Sequence, residues 1–283
     1  MILIATKTVL NSDSVPQSIN LEGSDISLAN TVRNLGVCLN PTLSFQQQIS
    51  FVCCICYLEL RRISAIRHYL SEDVTKKLLY AFVLSRLDYC NSLLAGCPKY
   101  LLSKLQKVGN KSARHIFRTT RASRVSPMLH SLHWLPIEQR IEYKLSLFCF
   151  KIISHQAPIY LSELLHLYTP SRQLRSPTDT RVFRIPSFRT KSCGQRSFSD
   201  QVPVIWNRLP VSVHNSISVS SFKSSLKTFL FWKTYFQSHC PDCPDMRLVC
   251  LCTCVRACVC ARACVCESLC VRACVCVHSC CMR

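Results

Sequence analysis

The chain has 283 residues, 35 Lys and Arg against 15 Asp and Glu, 22 cysteines and only five glycines, and is 48% hydrophobic. So much apolar side chain excludes disorder throughout. The five glycines (Gly23, Gly36, Gly96, Gly109 and Gly194) lie too far apart for a GxGxxG or GxxxxGK phosphate loop. No secretion signal or run of about 20 apolar residues marks a membrane protein. The formal charge of +20 is unevenly spread: residues 1–98 carry a net +1, residues 99–230 a net +16 and residues 231–283 a net +3. A middle so basic implies a polyanionic partner.

In chain order, residues 2–5 (ILIA) and 32–39 (VRNLGVCL) read as short strands, with Gly36 at a bend or close backbone approach and Asn40-Pro41 ending the second. From Phe45 to Leu70 a helical period takes over, with Ile49, Val52, Cys56, Leu60, Ile63, Ile66 and Leu70 as its stripe. Cys53, Cys54 and Cys56 read as small buried hydrophobes on that helix. Ser71 caps the next helix, with Glu72 and Asp73 in its first turn. Leu78, Phe82 and Tyr89 are expected on its apolar side, and Gly96-Cys97-Pro98 stops it. A third helix runs from about Lys99 to Arg118. A fourth follows Pro136, with Ile137, Ile141, Leu145, Phe148 and Ile152 facing a core. Residues 170–200 read as loop with short strands. A last helix near Ser218 to Trp232 presents Phe222, Leu226, Phe229 and Leu230.

The third helix carries the one constellation with chemical content. Lys104, Lys107, Lys111, Arg114, Arg118 and Arg121 recur at spacings of three and four, and at about 100° per residue they share one stripe. Leu101, Leu105, Val108, Ser112 and Ile116 fall on the other side. No acid follows Asp88 before Arg124. A solvated face ordinarily mixes signs so that i,i+4 pairs form; this one is suited to the phosphate backbone of a nucleic acid, giving affinity and salt dependence without base specificity. A second cluster, Arg172, Arg175, Arg181, Arg184, Arg189, Lys191 and Arg196 with Phe183, Phe188 and Phe198 interleaved, suits single strands or is simply a loop of unpaired arginines. No catalytic constellation is visible: no Asp-Asp pair, no GxSxG, no HExxH.

The last 44 residues hold 14 of the cysteines. The element CVRACVC occurs at Cys254–Cys260 and again at Cys270–Cys276. A TGCG repeat read in triplets cycles through Cys, Val, Arg and Ala, so this tail reads as translated simple repeat. Cys240-Pro-Asp-Cys243 and His278 supply zinc ligand types, but cysteine at every second or fourth residue defines no unique set of four.

Taken in order, VRNLGVCLNPTLSF (32–45), LLYAFVLSRLDYCNSLL (78–94), LQKVGNKSARHIF (105–117), LHWLPIEQRIEYK (132–144), APIYLSELL (157–165), WNRLP (206–210) and SFKSSLKTFLF (221–231) resemble the carboxy-terminal part of the reverse transcriptases of non-LTR retrotransposons, the long interspersed elements. The resemblance covers residues 1–231 and implies a mainly α fold. Residues 1–43 would be the end of a polymerase palm with a primer-grip-like hairpin at Asn34, Leu35, Gly36 and Val37. Residues 44–125 would be a helical thumb-like bundle and residues 126–231 a basic mixed region. Residues 232–283, read from their composition as a disordered Cys-rich tail, have no counterpart in the family. The family's Tyr-x-Asp-Asp strand, which binds magnesium, is absent here, so no cofactor and no catalytic residue is expected in this chain. It also implies an RNA or RNA–DNA duplex as partner, with neither a membrane nor a small-molecule substrate, and an intracellular site, nuclear where the parent element's behaviour is retained. Gly109 is expected to interrupt the third helix, and Met1 to be an internal methionine of a decayed, truncated copy. The rival reading is a basic RNA-binding protein with a metal-binding tail.

Overall fold

The computed structural model describes residues 1–12, 16, 18–21, 23–168, 182–188 and 194–236. Residues 1–214 form one compact unit, and a second begins at Asn215. The chain is mainly helical, as expected. Residues 237–283 of the proposed Cys-rich tail, and Arg172, Arg175, Arg181, Arg189 and Lys191 of the second basic cluster, lie outside the described residues; residues 232–236, expected to begin the tail, instead close the last helix.

The amino-terminal segment differs from expectation. Residues 2–5 are not a strand: isolated backbone bonds stand at either end of the segment, Ala29 N–H to the carbonyl of the preceding Met1 (2.8 Å) and Ala5 N–H to the Pro41 carbonyl (3.1 Å). Two such bonds set no register, and a short helix α1 (Lys7–Leu10) follows. A hairpin not foreseen pairs β1 (Ser18–Leu21) antiparallel with β2 (Ser24–Ser27). The stretch at 32–39 is not the single strand its pattern suggested but a hairpin, as the resemblance implied, with β3 (Val32–Asn34) against β4 (Val37–Leu39) and Gly36 in its turn. Its two-residue turn puts both Leu35 (φ 46°) and Gly36 (φ 80°) in the left-handed region. That turn geometry matches the right-handed twist of the flanking strands.

Helix α2 (Gln46–Ile66) continues into a 3-10 turn, Arg67–Tyr69. Of the expected stripe, Ile49, Cys56, Leu60 and Ile63 are buried and Val52 and Leu70 half-buried; Gln48 and Cys53 join the buried side, while Ile66 is exposed. Cys53 and Cys56 are buried as expected, whereas Cys54 is exposed. Burial raises both buried thiols, Cys56 to about 12.

Ser71 caps α3 (Glu72–Leu79), its Oγ accepting from Val74 N–H at 3.3 Å. A π turn (Tyr80–Leu84) and α4 (Ser85–Asp88) complete the rod. Here the expected face is reversed: Thr75, Leu79, Val83 and Leu87 are buried, while Phe82 and Tyr89 are exposed. A spacing of four drifts about 40° per step on an α-helix. The wider i→i+5 turn takes up that drift and keeps the four in line. The rod also ends at Asp88, well before Gly96, because Cys90 turns left-handed (φ 52°).

Helix α5 (Lys99–Phe117) is unbroken, and Gly109 does not interrupt it. Leu101, Leu105, Val108, Ser112 and Ile116 are all buried as expected, joined by Leu102, Gly109 and Ala113. Short α6 (Ser126–Ser131) leads to α7 (Ile137–Ile153), which packs on α5 and buries Ile137, Ile141, Leu145, Cys149, Phe150 and Ile152. The boundary expected at 125/126 is bridged by side chains. Gln106 Oε1 of α5 accepts the first N–H of α7 from Ile137 at 2.8 Å, and Arg140 Nη1 donates to Asp88 Oδ2 at 2.8 Å.

Beyond α8 (Ile159–Ser162), helix α9 (Phe198–Trp206), with Pro203 inside it, starts at the end of the 170–200 stretch read as loop, and α10 (Val211–His214) follows it; neither helix was expected. Asn207 binds both the N–H and the carbonyl of Phe183, at 3.0 and 2.8 Å, and Phe183 packs edge-on against the fully buried Trp206. In the second unit α11 (Val219–Tyr235) starts at the Ser218 cap and buries Phe222, Leu226 and Leu230.

A Cβ added at Gly109 would meet nothing nearer than Gln106 Nε2 at 4.0 Å, so no neighbour requires a glycine there. Gly109→Ala is therefore expected to stabilise the chain by about 0.5–1 kcal/mol, read from the urea midpoint followed by far-UV circular dichroism.

Candidate nucleic-acid interface

The residue types on α5 sort themselves by depth. Its buried arc is widened by Leu102, Gly109 and Ala113, leaving a band of cations on the outside. Lys107 and Lys111 are exposed and Lys104 is half-buried. The Lys111 ammonium stands 5.2 Å from the ring centre of Tyr57 on α2, a cation–π contact that steadies it while leaving its donors to solvent. Lys104 lies close enough to Cys53 to offset part of the rise that burial imposes on that thiol. Among the described residues the ion pairs are Arg62–Glu59, Lys76–Glu72 and Arg140–Asp88, and none involves α5.

The guanidinium groups of the same band are already engaged. Arg114 Nη2 donates to the Ser123 carbonyl at 3.2 Å, while its Nε is buried without an acceptor. Arg118 ends α5 in the left-handed region (φ 53°), a cost for any residue with a Cβ. Its Nη2 reaches the carbonyls of Arg67 (3.3 Å) and Leu70 (3.4 Å). Arg121 is exposed in the turn beyond. The six cations expected to act together are thus three ammonium groups facing solvent, two guanidinium groups bound to backbone carbonyls, and one loop arginine.

A residue not singled out in the sequence fixes this surface. Arg67 donates from Nε to the His115 carbonyl (2.8 Å), from Nη2 to the Ile116 carbonyl (2.8 Å) and from Nη1 to the Leu70 carbonyl (2.7 Å). Its signal was a basic residue directly after the last turn of a helix, where unpaired carbonyls await donors. Burial and the nearby Arg118 charge both lower the Arg67 pKa, burial more. Burial likewise holds the His115 imidazole below its usual range, the bond to the Lys111 carbonyl only partly opposing it.

The hairpin residues lie elsewhere in the same unit. Leu35 is 83% exposed at the turn, and its carbonyl accepts from the Tyr89 hydroxyl at 2.6 Å. A Cβ at Gly36 would stand 3.6 Å from the Tyr89 ring. Val37 is buried, and Gln48 Oε1 accepts the neighbouring Cys38 N–H at 2.9 Å. Arg33, beside Asn34, sits over the Phe51 ring at 5.3 Å.

The described part of the second cluster is divided between core and surface. Arg196 lies over Phe45 and donates to Cys97 Sγ at 3.0 Å, packed where a Cβ on Gly96 would strike it. Phe183 belongs to the core, and Arg184 and Phe188 are exposed. Among the described residues no group of three or more His, Cys, Asp or Glu is placed to hold a metal ion, and no helix is long and apolar enough to cross a membrane. No family model, curated protein or solved structure matches the chain.

Removing the Arg67 guanidinium would leave three carbonyls without their donor. Arg67→Ala is expected to cost about 2–4 kcal/mol in urea unfolding. Arg67→Lys keeps the charge but not the planar fork, and is expected to recover less than half of that loss.

Proposed function

We propose that the chain is a nucleic-acid-binding segment of a non-LTR retrotransposon reverse transcriptase, with α2–α5 as thumb-like helices that lie along an RNA or RNA–DNA duplex. One observation carries this reading. Lys104, Lys107 and Lys111 line one side of a helix anchored in the core on the other, with no carboxylate paired to them among the described residues. Ammonium groups held at turn spacing on a rigid rod match a polyphosphate, and each phosphate neutralised releases a counterion. Contacts of this kind orient a duplex without reading its sequence. The order of motifs from VRNLGV to SFKSSLKTFLF supports the family, and the hairpin at Asn34, Leu35, Gly36 and Val37 would be its primer-grip element. Without a Tyr-x-Asp-Asp pair the chain binds rather than polymerises, because two-metal phosphoryl transfer needs converging carboxylates.

Replacing Lys104, Lys107 and Lys111 together with glutamine keeps helix propensity and removes three charges. Duplex affinity is expected to fall alike for unrelated sequences, with the salt slope of log K shallower by about 0.9 for each contact on B-form DNA. Lys76 and Lys77 on α3 serve as the control, Lys76 being paired with Glu72 at 3.8 Å. If the triple variant and the control bind equally, α5 is a solvated face. Equilibrium titration by fluorescence anisotropy at several salt concentrations reads the difference.

On a primed RNA template with magnesium or manganese, the purified chain is expected to incorporate no nucleotide above a protein-free control. Incorporation that survives repurification refutes the binding-only reading.

A further inference from the structure

The loop between α5 and α6 reads Arg118-Thr-Thr-Arg121-Ala-Ser123-Arg124, three arginines at a spacing of three around a serine. Two other described serines have a basic residue two positions upstream and another close before it: Ser64, after Arg61-Arg62, and Ser126, after Arg121 and Arg124. Ser64 lies inside α2 and Ser126 opens α6 ahead of Pro127, where a kinase cleft cannot readily extend the backbone. Ser123 lies outside helix and strand, its segment held by backbone bonds from Thr119 N–H to the Arg114 carbonyl (3.1 Å) and Ser123 N–H to the Thr120 carbonyl (3.3 Å). A segment tied so lightly opens at little cost.

Geometry adds a destination for a phosphate. The Ser123 carbonyl already holds Arg114 Nη2 at 3.2 Å, and the Arg114 Nε is buried with no acceptor. Arg121 and Arg124 flank the serine and are exposed. A phosphoryl group on Ser123 Oγ would have the Arg114 guanidinium already on the same residue's carbonyl, and Arg121 and Arg124 two positions before it and one after, each with a fork that matches phosphate oxygens. It would also add about two negative charges at the carboxy-terminal end of the lysine band.

We propose that Ser123 is a phosphorylation site for a basophilic serine/threonine kinase, and that the phosphate pairs with Arg114 and neighbouring arginines to weaken nucleic-acid binding by α5. The regulatory half rests on the binding reading above. In the reaction Ser123 Oγ attacks the γ-phosphorus of ATP, the bond from that phosphorus to the bridging oxygen breaks, ADP leaves, and the hydroxyl proton passes to the kinase's catalytic carboxylate.

The test treats the full chain with ATP and the catalytic subunit of an arginine-directed serine kinase, mapping phosphate by mass spectrometry. One phosphate at Ser123 is expected, lost in Ser123→Ala and kept in Ser64→Ala and Ser126→Ala. Modification elsewhere with Ser123 untouched overturns the assignment. Phosphorus-31 titration then reads the pairing without any nucleic acid: the second phosphate pKa should fall below its ordinary value of about 6. Arg114→Gln should return it, and an unshifted pKa overturns the pairing. Finally, the phosphorylated chain should bind duplex about tenfold more weakly, with a salt slope shallower by about 0.9 to 1.8, the equivalent of one or two duplex phosphates no longer neutralised. Equal affinity before and after phosphorylation overturns the regulation. If the unmodified chain binds no duplex, the binding reading and the regulation fall together, while the site and its pairing stand or fall on the first two measurements.

Discussion

Two helices, α2 and α5, run side by side in the same direction, as the pairs Tyr57–Lys111 and Arg67–Ile116 show, and this parallel pairing sets the electrostatic problem on which the unit is built. Parallel helices bring their carboxy-terminal ends together, each with unpaired carbonyls and a partial negative charge. Arg67 and Arg118 resolve it by exchange: Arg67 binds the carbonyls that end α5, and Arg118 binds those that follow α2. A guanidinium suits the task because its donors form a planar fork and its charge persists despite partial burial. The left-handed backbone at Arg118 is explained the same way, since the bonds it gains offset the conformational cost.

That arrangement also divides labour among the cations. The arginines at the end of α5 are tied to backbone, while the lysines earlier on the helix keep their ammonium groups toward solvent. Lysine is a strongly hydrated point charge on a flexible stem, adequate for unspecific phosphate contact. The basic stripe is therefore both a structural staple and a presented surface, divided near Arg114.

Around this pair the remaining elements are fastened by single polar side chains placed at element ends. Gln48 takes the Cys38 N–H of the hairpin, and Tyr89 takes its turn carbonyl. Gln106 caps α7, Arg140 joins α7 to Asp88, and Asn207 clasps the backbone of Phe183. Each satisfies a backbone or charged group that apolar packing would otherwise strand. Of these, the bonds of Gln106 to Ile137 and of Arg140 to Asp88 cross residue 125 and tie the two regions separated there in the sequence.

The helices at 46–66, 99–117, 137–153 and 219–235 were legible because long apolar periods, the Gly96-Cys97-Pro98 break before the third and Pro136 before the fourth are local signals. The packing arc and cation band of α5 were legible for the same reason. Three things were not. The face of α3–α4 depended on a π turn, which has no local code, and α9 was hidden by Pro203 and the polar run before it. The fate of each arginine depended on which carbonyls the fold left unpaired nearby. Sequence alone determined where helices form and where positive charge accumulates, because propensity and spacing act over a few residues. Tertiary structure decided which cations are used up in holding α2 against α5 and which stay exposed to solvent, because carbonyl acceptors some fifty residues away are brought into reach only when the helices pack.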